Sequence, residues 1–218
     1  MATLPALAAP EGAPAPAPGD VGSAISPVEQ WLFLDGHLKA LKTPATLRYA
    51  VDAVGELKPA AHQDIHLALQ GPAGKMAATL TTPQAEVALP IDGELLYNPI
   101  VAYFLDRDIE TMEKLTGGKK GYFQRRLRMA LARATVIAEV KAVAAGGQSV
   151  AAQEVSLQPF LDDPLRARFE RFAGKRYRFT LAKATPGQVL RIETVIPGAN
   201  MDFSKPLLTE TLSFEGQR

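Results

Sequence analysis

Between Thr46 and Leu89 the apolar residues fall at every second position. Leu47, Tyr49, Val51 and Ala53 alternate with Thr46, Arg48, Ala50 and Asp52. Ile65, Leu67 and Leu69 repeat the pattern, then Met76, Ala78 and Leu80, then Val87 and Leu89. Period two places one set of side chains on one face of a strand, so four strands are predicted. The turn residues Gly71-Pro72-Ala73-Gly74 separate the second from the third. Strands joined by short turns form an antiparallel meander.

From Asn98 the period lengthens to that of a helix. Val101, Phe104, Leu105, Met112 and Leu115 share one helical face, with Asn98 as N-cap, Pro99 as first residue and Gly117 as C-cap. A second helix, from about Gly121 to Ala132, buries Phe123, Leu127, Ala130 and Leu131. It is expected to expose Arg125, Arg126, Arg128 and Arg133.

Alternation then returns. Val136 to Val143 and Val150 to Leu157 flank Gly146-Gly147 and predict a hairpin. A short helical turn is expected from Asp163-Pro164 to about Phe172. Tyr177, Phe179 and Leu181, then Leu190, Ile192 and Thr194, and finally Leu208, Glu210, Leu212 and Phe214 mark three more strands. Before all of these, Ser26-Pro27-Val28-Glu29 is a capping box opening a helix with Val28, Trp31, Leu32, Leu34 and Leu38, weakened at Gly36. The lone tryptophan is expected to pack this helix on the sheet.

About nine strands with one inserted helix pair make an α+β protein. Alternation gives each sheet face a different neighbour, and the amphipathic segments are the pieces that can cover one of them. The expected architecture is a curved antiparallel sheet, or half-open β-barrel, covered by the inserted helices. Residues 26–218 form its single domain.

Composition narrows the reading. At 218 residues, 47% hydrophobic and 22% charged with net charge +1, the chain is neither wholly disordered nor a strongly basic nucleic-acid binder. The absence of cysteine excludes disulfides, thiolate metal sites, a cysteine nucleophile and a cysteine-linked lipid anchor. Ala6-Leu7-Ala8 within Leu4 to Pro10 matches the end of a secretory signal, and Glu11 to Gly19 alternates Ala with Pro as a tether. Residues 1–25 are therefore expected to be a signal remnant and disordered tether on a soluble periplasmic protein.

Candidate chemistry is sparse. His62, Asp64 and His66 share a strand face, but i, i+2 side chains lie about 7 Å apart, which leaves His62 and His66 weak metal candidates on a solvated face. His37 shows no partner. Asp106, Asp108, Glu110 and Glu113, with Arg107 and Lys114 among them, read as a solvated helix face. No serine elbow, phosphate loop or dinucleotide fingerprint occurs, so no enzyme and no cofactor are expected. The cluster Lys119, Lys120, Arg125, Arg126, Arg128 and Arg133 fits pairing with the preceding acidic helix or attraction to an anionic membrane better than DNA reading. A second basic series, Arg166, Arg168, Arg171, Lys175, Arg176 and Arg178, could extend that surface.

The run from Asn98 to Asp108, with Leu115 to Gly118, Tyr122-Phe123, Arg126-Leu127-Arg128, Pro159-Phe160, Asp163-Pro164 and Lys175 to Phe179, resembles uncharacterised exported bacterial proteins. The order of elements from about Thr46 to Phe214 is similar to the periplasmic lipoprotein-carrier architecture, an open β-barrel with a helical lid. That similarity implies a carrier for a lipid or other hydrophobic ligand, with Tyr49, Leu67, Phe104, Leu105, Met112 and Phe179 as candidate cavity lining. The same six residues would be plain core in a tightly closed sheet. The alternative is a non-enzymatic interaction module of an envelope protein complex.

Overall fold

The computed structural model describes residues 25–71, 76–89 and 97–218. Its strands are β1 (Ala45–Gly55), β2 (Ala61–Gln70), β3 (Ala77–Thr81), β4 (Glu86–Leu89), β5 (Ala138–Val143), β6 (Ser149–Leu157), β7 (Arg176–Leu181), β8 (Val189–Ile196) and β9 (Leu208–Gln217). All pair antiparallel in one sheet of order β4-β3-β2-β1-β9-β8-β7-β6-β5, which does not close. The α+β class, the nine strands and the inserted helix pair are as the alternation predicts. The expected signal remnant and the Pro72–Gly74 part of the first turn lie outside the described residues.

The helices are α1 (Pro27–Glu29, continued by a π-helical turn Gln30–Leu34), α2 (Ile100–Thr116), α3 (Lys120–Arg133) and a short α4 (Glu170–Ala173). α2 and α3 connect the two edge strands, β4 and β5. Nine strands laid flat span roughly 38 Å, whereas two helices cover roughly 20–24 Å. Yet Leu80 on β3 and Val155 on β6 share one core with Phe104, Met112 and Phe123 of the helices. The sheet must therefore bend around the pair.

The local signals act as expected at most ends. Ser26 and Glu29 form a reciprocal capping box, and Gly117 closes α2 in the left-handed conformation. The first helix is shorter than predicted. The Asp35 amide donates to Gln30 O at 2.9 Å, closing the π turn, and the chain leaves the helix in extended conformation. Leu38 is buried from the following turn instead, while Leu34 stays partly exposed. Trp31 does dock α1 on the sheet, donating from Nε1 to Gln153 Oε1 on β6 at 3.0 Å.

Candidate functional site

The apolar stripe of α2 comprises Val101, Phe104, Leu105, Ile109 and Met112, and one carboxylate stands among them. Asp108 is 2% exposed, which corrects the expectation that the α2 carboxylates form a solvated face. Asp106 and Glu113 do face solvent, with Glu110 partly so. Asp108 falls three residues after Leu105 and four before Met112, so helical geometry carries it into the interface.

Beneath it, the sheet presents a polar row. Tyr177 on β7 is in register with Thr194 on β8, and Thr194 with Glu210 on β9. All three occupy core-facing positions of their strands. Asp108 Oδ2 accepts from the Tyr177 hydroxyl at 2.6 Å, and Oδ1 accepts from Lys175 Nζ in an ion pair. The Thr194 hydroxyl approaches Oδ1 at 3.5 Å. Glu210 pairs with Lys58 at 2.5 Å and with Arg107 of α2 at 3.5 Å. Lys175, expected on a basic surface, is 1% exposed, because it enters β7 beside Tyr177 and lies 5.3 Å from that ring centroid. Burial, and then the Asp108 charge and hydrogen bond, hold the Tyr177 hydroxyl well above its ordinary pKa. It therefore stays a neutral donor.

The start of α2 is pinned separately. Asn98 Oδ1 accepts from the Ile100 amide at 3.1 Å, the N-cap bond predicted for it. Its Nδ2 donates to Tyr49 OH at 2.7 Å and to Gly187 O at 3.0 Å. Gly187 has φ +70°, and a Cβ there would meet Asn98 Nδ2 at 2.7 Å and Leu47 Cδ1 at 2.6 Å. The Asn98 amide donates to His37 Nδ1 at 3.2 Å, and His37 Nε2 lies 2.7 Å from Trp31 O. These two bonds together assign the neutral Nε2–H tautomer. His37, which looked partnerless in the sequence, thus joins α1 to α2, and its burial lowers its pKa.

α3 is held differently. Phe123, Phe160 and Phe169 meet edge to face, with ring centroids 5.6 to 6.1 Å apart. Arg126 Nε pairs with the buried Asp163 at 2.8 Å, and the Tyr122 hydroxyl donates to the same carboxylate. Arg126 is therefore no part of an exposed basic surface, because Asp163 draws it inward. Arg125, Arg128 and Arg133 are exposed. Lys120 bridges back to Asp106 at 2.8 Å and Glu110 at 3.1 Å. Arg126, Met129, Ala130 and Arg133, on one side of α3, line an open cleft of about 420 Å³ against Leu157 and Pro159.

The six candidate lining residues, Tyr49, Leu67, Phe104, Leu105, Met112 and Phe179, come together in one core cluster, each at most 7% exposed. His62 and His66 lie exposed on β2. The near partner of His62 is Asp52 on β1, at 2.7 Å, rather than His66. Among the described residues no group of three or more His, Asp or Glu is placed to hold a metal, and no helix is long and apolar enough to cross a membrane.

These features define an open antiparallel sheet strapped from edge to edge by two helices, α2 fastened to the sheet side through Asp108 and α3 to the segment after β6 through Asp163. No known protein family and no curated protein sequence matches this chain. Among solved structures, the Mycobacterium tuberculosis lipoprotein LppX is similar at 12% identity and a TM-score of 0.35, over 82% of this chain and 89% of that one. The similarity is remote and structural only.

Proposed function

We propose that this protein is a periplasmic carrier that holds a hydrophobic ligand on the helix-covered face of its sheet, with α2 as a displaceable cover. The supporting observation is the way α2 is fastened. A helix meant only to seal a core is held best by apolar packing. Replacing a buried ion pair by hydrophobic groups is often neutral or stabilising by about 1–4 kcal/mol. A carboxylate buried in the middle of the α2 stripe, matched to Lys175 and Tyr177, gives register and a release point rather than maximal adhesion. Lifting α2 would expose Tyr49, Leu67 and Phe179 on the sheet and Phe104, Leu105 and Met112 on the helix as an apolar slot.

On this reading the protein binds and does not catalyse: the groups of the cluster satisfy one another. The periplasmic location rests on the small-x-small pattern at Ala6-Leu7-Ala8. Saturable, one-to-one uptake of a fluorescent fatty acid, together with lipid carried through purification in native mass spectrometry, is the expected result. Protein that stays empty in both measurements would refute the carrier.

A second reading is an interaction module of the cell envelope, favoured by the outer edge of β5 and the exposed Arg125 and Arg128. It requires a stoichiometric protein partner from the envelope fraction that is lost on charge reversal at those two arginines.

A further inference from the structure

The polar cluster beneath α2 has the make-up of a carboxylate-binding site, and the carboxylate in it belongs to the cover. Asp108 is on α2, whereas Lys175, Tyr177 and Thr194 belong to the sheet side. An ammonium, a phenol and an aliphatic hydroxyl converge on two carboxylate oxygens. That is a set of donors for a single anion, in which the charge-assisted bond is the strongest.

Displacing α2 removes one anion and one cation, so it leaves the net charge of the cluster unchanged but alters the pairing in a defined way. Asp108 leaves, and so does Arg107, which shares Glu210 with Lys58. What stays on the sheet side is Lys175 and Lys58 against Glu210, two cations and one carboxylate. One positive charge is then left in an apolar slot, and Lys175 is the group that has lost its partner. A neutral ligand would leave that charge buried and unpaired, which is strongly unfavourable. A ligand with an acidic head would restore each bond that Asp108 makes.

We infer that the ligand is a single-chain amphiphile with a carboxylate head, and that Asp108 is its built-in stand-in. Lys175, Tyr177 and Thr194 form the head-group subsite, for which ligand and α2 compete. The apolar chain lies along the slot that α2 vacates. This inference rests on the carrier reading and narrows it to one class of ligand.

The test compares hexadecanoic acid, hexadecan-1-ol and acetate, each binding alone to the whole protein in native mass spectrometry and calorimetry. The acid should bind about ten- to a hundredfold more tightly than the alcohol, the worth of one charge-assisted contact. Acetate, which lacks the chain, should not bind. Asp108→Asn removes the internal competitor and should tighten binding of the acid, while Lys175→Met combined with Asp108→Leu should bring the acid-to-alcohol ratio to about one. Equal binding of acid and alcohol by the unaltered protein overturns the head-group assignment and leaves the carrier standing. Binding of neither overturns both. A strong acid preference that ignores both substitutions places the head elsewhere and also overturns the assignment. The comparison on the unaltered protein needs no variant to fold.

Discussion

α2 and α3 follow one another across a three-residue link and cover the same sheet, yet they are attached by different chemistry. α3 is held by three phenylalanines packed edge to face, with a flanking Arg126–Asp163–Tyr122 cluster at its margin. α2 has an apolar stripe too, but its middle is fixed by Asp108 to Lys175 and Tyr177. Apolar packing is non-directional and fails gradually, whereas a buried ion pair is directional and costly once broken. On the proposed function the two helices have different duties: α3 is a permanent wall, and α2 is a cover fastened through buried polar groups at its start and its middle.

The largest effects should come from breaking each attachment in turn. Phe160→Ala should cost about 3–5 kcal/mol in global unfolding, measured by denaturant titration. Lys175→Met should cost a similar ~3–5 kcal/mol because the Asp108 charge is left buried without a counter-charge. The two variants should part in hydrogen exchange. Lys175→Met should expose α2 amides while α3 stays protected, and equal loss in both helices would erase the distinction drawn between them.

Adding Asp108→Leu to Lys175→Met removes the stranded charge. The double variant should recover most of the loss, since apolar replacement of a buried pair is often neutral or stabilising by about 1–4 kcal/mol. A double variant as unstable as the single one would mean that the pair itself is the main adhesive of α2.

Next in size is Asn98→Ala at the N-terminal anchor. It removes the cap and leaves Gly187 O and Tyr49 OH short of a partner, at about 1–3 kcal/mol. Opening of α2 should then begin at its first turn.

Smaller again is the pH response of His37. Burial lowers its folded pKa below the ordinary 6.5, so the unfolded chain takes up a proton first as the pH falls. Its contribution is whole above the unfolded value and is lost as the pH falls through the folded one. Protonation would also take Nδ1 from the Asn98 amide, so fraying of the α2 start on acidification is the expected signal in amide exchange. The smallest effect is on the exposed β2 face. The Asp52 hydrogen bond raises the His62 pKa, and this contribution is present below 6.5 and lost as the pH rises through the folded value. A proton NMR titration should show its midpoint falling toward 6.5 in Asp52→Asn, with no change in α2.

The strands were legible because a period of two leaves little choice once one face is buried. Leu47 to Ala53 and Tyr177 to Leu181 turn inward as their alternation requires. The polar row was visible in outline: Thr194 and Glu210 occupy core positions of stripes otherwise filled by apolar residues. What could not be read was its partner. Asp108 carries the spacing of a buried residue, but its charged neighbours Asp106, Arg107 and Glu110 make the whole stretch look solvated. Lys175 hides in a run of basic residues whose other members do face outward or sideways, such as Arg178 toward Glu154 and Glu193. Their meeting spans 67 residues of sequence, and local pattern carries no information over that distance. The shortened α1 has a similar cause, since burial of Leu38 is decided by the turn that follows and not by helical spacing.

One consequence of the strand order concerns how the molecule is made. β1 to β4 and β5 to β8 are two meanders, and they are joined in the sheet only through β9, which lies between β1 and β8. During synthesis β1 can pair with β2, but it waits for its second partner until the chain through Gln217 has left the ribosome, so the central seam of the sheet forms after the two meanders. Pairing of this kind, between distant parts of the chain, is slow. Until β9 arrives, the two meanders remain unjoined in the sheet.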